Sequence, residues 1–264
     1  MKKGIFYKVL AGMFILISSC SSSRINRVTV KNPDKNKLYG ILQQNPQFFD
    51  SILQKKDEYK VQIIYTQIDR NKEGIPGFTD YYFNVNKDNY YYPASTVKLP
   101  VAALALQKLN ELKIAGLDTH TTMITETNGD GQTAVDNDPT SADGRPTIAH
   151  YIKKILLVSD NDAFNRLYEF LGQEYINNNL HKMEYEDVQI IHRLNISLTE
   201  GQNRHTNPVK FFDSIGRVVY QKPADTSRLE YPQRITKLGN GYMHDSVLVN
   251  EPFDFSKKKQ VLIS

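Results

Sequence analysis

The 264-residue chain has a single cysteine, Cys20. One thiol excludes an intramolecular disulfide and any thiolate metal cluster. Histidine is sparse as well: His120, His150, His181, His192, His205 and His244 form no H-x-H or H-x-x-x-H pair. A catalytic zinc usually needs three closely placed protein ligands, so neither a metal nor another cofactor is expected. Blocks of like charge are missing. The formal net charge is +4, but Lys2, Lys3 and Lys8 lie in the first 19 residues, which hold no acid. Without them the remaining Lys and Arg nearly balance the 29 acidic residues. A near-neutral body offers no electrostatic reason to take nucleic acid as a partner. No internal repeat occurs, and the apolar runs are too short for a membrane-spanning helix.

The first thing present is an address. Lys2-Lys3 is followed by the apolar run Val9–Ile17, broken only by Gly12. That is the pattern of a signal peptide core, predicted here over residues 1–19. Ile17-Ser18-Ser19-Cys20 then resembles the bacterial lipobox. The resemblance implies a lipoprotein whose Cys20 is acylated and becomes the mature N-terminus. It also implies attachment to a membrane through that lipid, in the cell envelope, facing the periplasm or at the outer membrane. Several acyl chains on one residue suffice for stable anchoring. Mass spectrometry of the membrane fraction should find lipid on an N-terminal Cys20; an unmodified cysteine, or a start elsewhere, overturns this. Residues 20–34 are polar and read as a tether, and residues 35–264 as the folded domain.

Within that domain, Leu38, Ile41, Leu42, Phe48, Phe49 and Ile52 follow helical spacing, interrupted by Pro46. Lys60–Ile68 and Phe78–Val85 read as two strands joined by a turn at Gly74–Gly77. Ser95–Leu112 is apolar on nearly every side beyond its first turn, which predicts a buried helix. Pro100 predicts a local irregularity near its start. Residues 118–146 read as a long loop. Thr147–Val158, Asp162–Leu171 and Glu174–Met183 are predicted helices, the first capped by Thr147 and the second stopped by Gly172. Val209–Val219 can form another, and residues 221–264 read as mostly irregular.

Two short motifs carry chemistry. Ser95-Thr96-Val97-Lys98 is an S-x-x-K tetrad, whose spacing sets a hydroxyl and an ammonium on one helix face. A serine hydroxyl becomes a nucleophile when a neighbouring base takes its proton, and a lysine with lowered proton affinity is such a base. Ser159-Asp160-Asn161 follows at a junction between helices, where Ser159 or Asp160 also suits a helix cap. Together, in this order, S-x-x-K and S-D-N resemble the class A β-lactamases and penicillin-binding proteins. The likeness extends over Tyr90–Leu109 and Thr147–Leu171. It continues through Arg193-Leu194-Asn195 and Arg204-His205-Thr206-Asn207-Pro208, which are similar to the two ends of that family's Ω loop.

The resemblance implies an α+β fold (an α/β sandwich) in which an antiparallel sheet is flanked by a mainly helical subdomain. It implies an enzyme, a serine hydrolase opening β-lactam amides through an acyl group on Ser95. Lys98 would be the base, Ser159 would relay a proton to the leaving nitrogen, and Asn161 would bind a substrate amide carbonyl. A D-alanyl peptidase or penicillin-binding protein acting on cell-wall peptide shares these parts. A non-catalytic envelope lipoprotein keeping the fold is the alternative of another class, and the four intact residues argue against it. The pattern departs in two places. No K-T-G or K-S-G follows Ser159; Lys237-Leu238-Gly239 has its outline but reads as a loop, and the closing C-terminal strands are expected to be missing. The Ω-loop glutamate has no clean match. Glu200, with Asn203 three residues on, is either that base or an exposed loop carboxylate.

Overall fold

A computed structural model describes residues 37–87, 93–128, 133–196, 198–230, 237–238, 242–244, 247–251 and 253–254. The expected signal segment, Cys20 and the tether lie outside the described residues. The chain packs as two compact units that divide after Asn86.

In the first unit, helices α1 (Lys37–Gln43) and α2 (Pro46–Gln54) precede strands β1 (Ile63–Arg70) and β2 (Pro76–Phe83). Pro46 opens α2 in its first turn, where the missing N–H costs nothing, and so separates the two helices. The strands form an antiparallel hairpin running from Ile63 opposite Phe83 to Arg70 opposite Pro76. Asn71 builds its turn, accepting the Glu73 and Ile75 amides on Oδ1, while Gly74 takes the left-handed conformation. Leu38, Leu42 and Phe83 are the small core, with Phe49, Leu53 and Ile63 against them.

The second unit is centred on a helical layer. α3 (Lys98–Leu112) packs against α4 (Ile148–Val158), α5 (Asn161–Leu171) and α6 (Gln173–Lys182). Val101, Ala105, Ile148, Tyr151, Phe164, Leu167 and Ile176 interlock with no exposed surface. The burial of α3 is not all-round as expected, because Leu99 and Leu106 are exposed. Beside the helices lies a three-stranded antiparallel sheet, β3 (Thr122–Thr125), β5 (Val209–Phe212) and β6 (Val218–Lys222), with β5 central. Met123 faces Phe211, and Phe211 faces Tyr220, so one aromatic ties the sheet to the helical core. The fold is α+β.

Three expectations are corrected here. Residues 118–146 are not all loop, since β3 lies within them. Val209–Phe212 is a strand and not the start of a helix: Val209 and Phe211 are buried and Lys210 and Phe212 less so, the alternation of a strand. Asp213 accepts the Ile215 and Arg217 amides, and Gly216 is left-handed, so the chain turns back into β6. Short strands do follow the Ω-like loop, although none of the described ones pairs with β1 or β2 and the expected closing strands stay missing among the described residues. Besides β5 and β6, β7 (Asp225–Thr226) pairs with β4 (His205–Thr206), and β8 (Lys237–Leu238) pairs with β11 (Phe253–Asp254). β9 (Tyr242–His244) pairs with β10 (Val247–Val249). Lys237-Leu238 therefore lies in a strand and not in a loop.

Candidate active site

The Ser95–Lys98 tetrad is wound more tightly than an α-helix. Ala94–Val97 is a 3-10 turn that runs directly into α3. Pro100 explains the local change: it has no N–H to give the carbonyl four residues back, and its ring crowds that carbonyl. With three residues per turn, positions i and i+3 eclipse. Lys98 Nζ lies 3.2 Å from Ser95 Oγ. Ser95 is exposed, whereas Lys98 is 3% exposed.

The second motif is a junction of two caps. Ser159 ends α4 in the left-handed conformation, φ 54°, its N–H bonded to Ile155 O. Asp160 caps α5, its Oδ1 accepting the Ala163 amide at 2.7 Å. Asn161 is the first residue of α5. Capping and site-building therefore coexist in three residues. The sharp reversal aims both oxygens of Ser159 at the lysine: Nζ is 3.0 Å from Ser159 Oγ and hydrogen-bonded to Ser159 O. Asn161 Oδ1 lies 2.6 Å from Nζ. Left-handed backbone at a non-glycine residue is uncommon and costs energy that surrounding contacts must offset. Ser159 is one such residue, and Ala94, φ 45°, directly before Ser95, is another.

Four oxygens thus surround Lys98 Nζ. Two of them, Ser159 O and Asn161 Oδ1, carry no hydrogen and can only accept. A neutral amine has two N–H bonds for those two acceptors, and its lone pair then faces a hydroxyl. An ammonium has three N–H bonds and is equally well satisfied. The cage accommodates both protonation states, as a group that takes and returns a proton requires. Burial pushes the Lys98 pKa below the usual lysine value, and the Asp160 carboxylate partly opposes that.

Asn161 also lines a cavity of about 170 Å³ between α5 and residues 193–196. Ser95 and Lys98 are not in its wall. Two carboxylates are, and both are engaged. Asp162 pairs with Arg166 at 2.8 Å. Glu169 pairs with Arg193 at 2.7 Å, each side chain 2% exposed. Glu169 Oε2 also accepts the Asn207 amide at 2.6 Å, and Arg193 donates to Gln202 O and His205 O. One buried ion pair so ties the entry of the loop, at Arg193, to its exit, at His205 and Asn207. Asn165 adds a two-point clamp on Leu194, accepting its N–H and donating to its O. Within the loop, α7 (Glu200–Arg204) starts with a capping box between Thr199 and Gln202.

The structure brings Ser95, Lys98, Ser159 and Asn161 together. Glu200 is an exposed residue of the first turn of α7. The sequence reading missed Glu169 and its partnership with Arg193. Its signal was a charge at position 169 amid Leu167, Tyr168, Phe170 and Leu171, on a stretch otherwise read as core. Among the described residues no cluster of His, Cys, Asp and Glu could hold a metal ion.

A family model described as the beta-lactamase enzyme family matches residues 27–227, well over half of the chain. No curated protein matches it.

Proposed function

The chain belongs to the beta-lactamase enzyme family, and from that premise we propose that it acylates Ser95 with the carbonyl of a β-lactam or of a related cell-wall amide. The observation that carries this reading is the oxygen cage around Lys98 Nζ, in contact with the Ser95 hydroxyl. Lys98 takes the Ser95 proton as Oγ attacks the carbonyl carbon. The amide C–N bond breaks, and the nitrogen leaves with a proton relayed from Lys98 through Ser159 Oγ. Asn161 presents its amide N–H to the substrate beside the same cage. N–H groups of a helix's first turn lack intrahelical acceptors, so the turn around Ser95 suits the developing oxyanion.

Release of the acyl group needs a water and a base. The carboxylates near Asn161 are held in ion pairs, and Glu200 is an exposed residue of α7. This favours a slowly deacylating, penicillin-binding behaviour over fast turnover. Incubation with a labelled penicillin, followed by peptide mapping and steady-state assay, tests both steps. The label should sit on Ser95, be lost in Ser95→Ala, and persist for many minutes. Glu200→Gln should leave both the burst and the slow release as they are. Labelling that survives in Ser95→Ala overturns the acylation site. Rapid turnover that collapses to a stable acyl-enzyme in Glu200→Gln would restore Glu200 as the deacylation base.

A further inference from the structure

Behind the Ser159–Asn161 turn sits a second set of charges that the acylation steps do not use. Asp138 is buried and accepts the Thr140 amide at 2.9 Å and the Thr140 hydroxyl at 2.6 Å. Lys154, on α4, donates to Asp138 Oδ2 at 3.0 Å. The same ammonium lies 3.6 Å from Asp160 Oδ2. His150, one turn earlier, stands 3.5 Å from Asp138 Oδ2 and 2.9 Å from the Thr140 hydroxyl. Asp160 is the middle residue of the turn whose two neighbours, Ser159 and Asn161, hold Lys98 Nζ.

The two oxygens of Asp160 divide their duties. Oδ1 caps α5 through the Ala163 amide, while Oδ2 faces Lys154. Capping does not require the ammonium, so the Lys154 contact does something else. A carboxylate near Lys98 favours the charged lysine, which is the wrong state for a base. A cation on the far side of that carboxylate counters it. The elements packed on α3 bring other charges: His150 and Lys153 from α4, Asp162, Arg166 and Glu169 from α5, and Glu174, His181 and Lys182 from α6. Of the charged groups, Asp160 is the one that raises the Lys98 pKa. Lys154 itself is a dependable cation. Burial works against its charge, but Asp138 and Asp160 outweigh that and hold its pKa above the usual lysine value. For Asp138, burial pushes upward, yet Thr140 and Lys154 bring the carboxyl down to about 2, so it stays ionised.

We propose that Lys154, clamped by Asp138, is a positioning residue of the acylating site: by countering the Asp160 carboxylate it keeps Lys98 able to lose its proton. The proposal rests on the serine–lysine reading above, but its first measurement does not depend on acylation.

That measurement is the titration of Lys98 in lysine-labelled protein by carbon NMR, the signal assigned by its loss in Lys98→Arg. Lys154→Met leaves the Asp160 carboxylate uncountered. That favours the protonated amine, so the Lys98 midpoint moves up. At a fixed pH below the midpoint the neutral fraction falls roughly tenfold, the size of a shift of about one pH unit. Lys154→Arg keeps the charge and should keep the midpoint. Asp138→Asn frees Lys154 to close on Asp160, and the midpoint moves down. A purely structural role would loosen the cage in both variants and move Lys98 the same way, towards an ordinary lysine. Opposite signs therefore identify the electrostatic relay. An unmoved midpoint in Lys154→Met, or shifts of one sign in Lys154→Met and Asp138→Asn, overturns it. Should Lys154→Met fail to fold, the direction of the Asp138→Asn shift decides. The pH profiles of penicillin acylation should shift in parallel. A wild type whose Ser95 never takes the label sinks the serine–lysine reading, while the titration still decides the relay.

Discussion

Replacing Lys98 with alanine is expected to slow acylation of Ser95 by roughly a hundred- to ten-thousand-fold, the usual contribution of a positioned general base. The Ser95 hydroxyl would remain in its 3-10 turn, but no other described group stands in the place of Nζ to take its proton. Arginine should not rescue the loss, because a guanidinium does not deprotonate in a protein and cannot offer a lone pair. The pH dependence follows from the same group. Lys98 acts as a base only when neutral, so acylation should rise with pH as the ammonium loses its proton. Burial lowers the Lys98 pKa from the ordinary 10.5, so the rise should come at lower pH than for a solvated lysine. The limb should vanish in Lys98→Arg. Stopped-flow acylation by a chromogenic cephalosporin across a pH series checks both. An alanine variant within tenfold of the wild-type rate would show that the proton goes elsewhere.

The second large effect concerns stability. Arg193→Met should destabilise the fold by about 3–5 kcal/mol, because it strands the Glu169 carboxylate in the core without its partner. That is a large share of the roughly 5–15 kcal/mol that holds a typical domain together. It also removes the donors to Gln202 O and His205 O, so the loss falls on the neck of the loop that lines the cavity. Converting both members to apolar residues, as in Arg193→Met with Glu169→Leu, should recover only part of the loss. The buried charge is gone, but the Asn207 amide then lacks its acceptor. Urea unfolding of the two variants measures this, with hydrogen exchange to locate the loosened segment. A single variant within 1 kcal/mol of wild type would mean that the pair does not pin the loop.

Some of this was legible in the chain itself. The spacing of Ser95 and Lys98, Pro100 just beyond them, the Thr147 cap, the Gly172 stop and the order of the two motifs are local features. They act over three or four residues, and helices are built from contacts of that range. VKFF at Val209–Phe212 suits either period, and only its strand partners choose between them. β3 was missed for the same reason: it is four residues long and pairs with a strand more than eighty positions away. Glu169 and Arg193 are unremarkable charges in sequence, and each becomes essential to the loop only once the other is buried beside it. Sequence by itself determined which side chains could do serine–lysine chemistry and that each would sit at a helix start. Tertiary structure alone decided that α4 and α5 meet in a reversal at Ser159 and that this reversal lies against α3. The physical reason is that the Lys98 cage joins residues some sixty positions apart. Its distances depend on how apolar helix faces interlock, which no local pattern encodes.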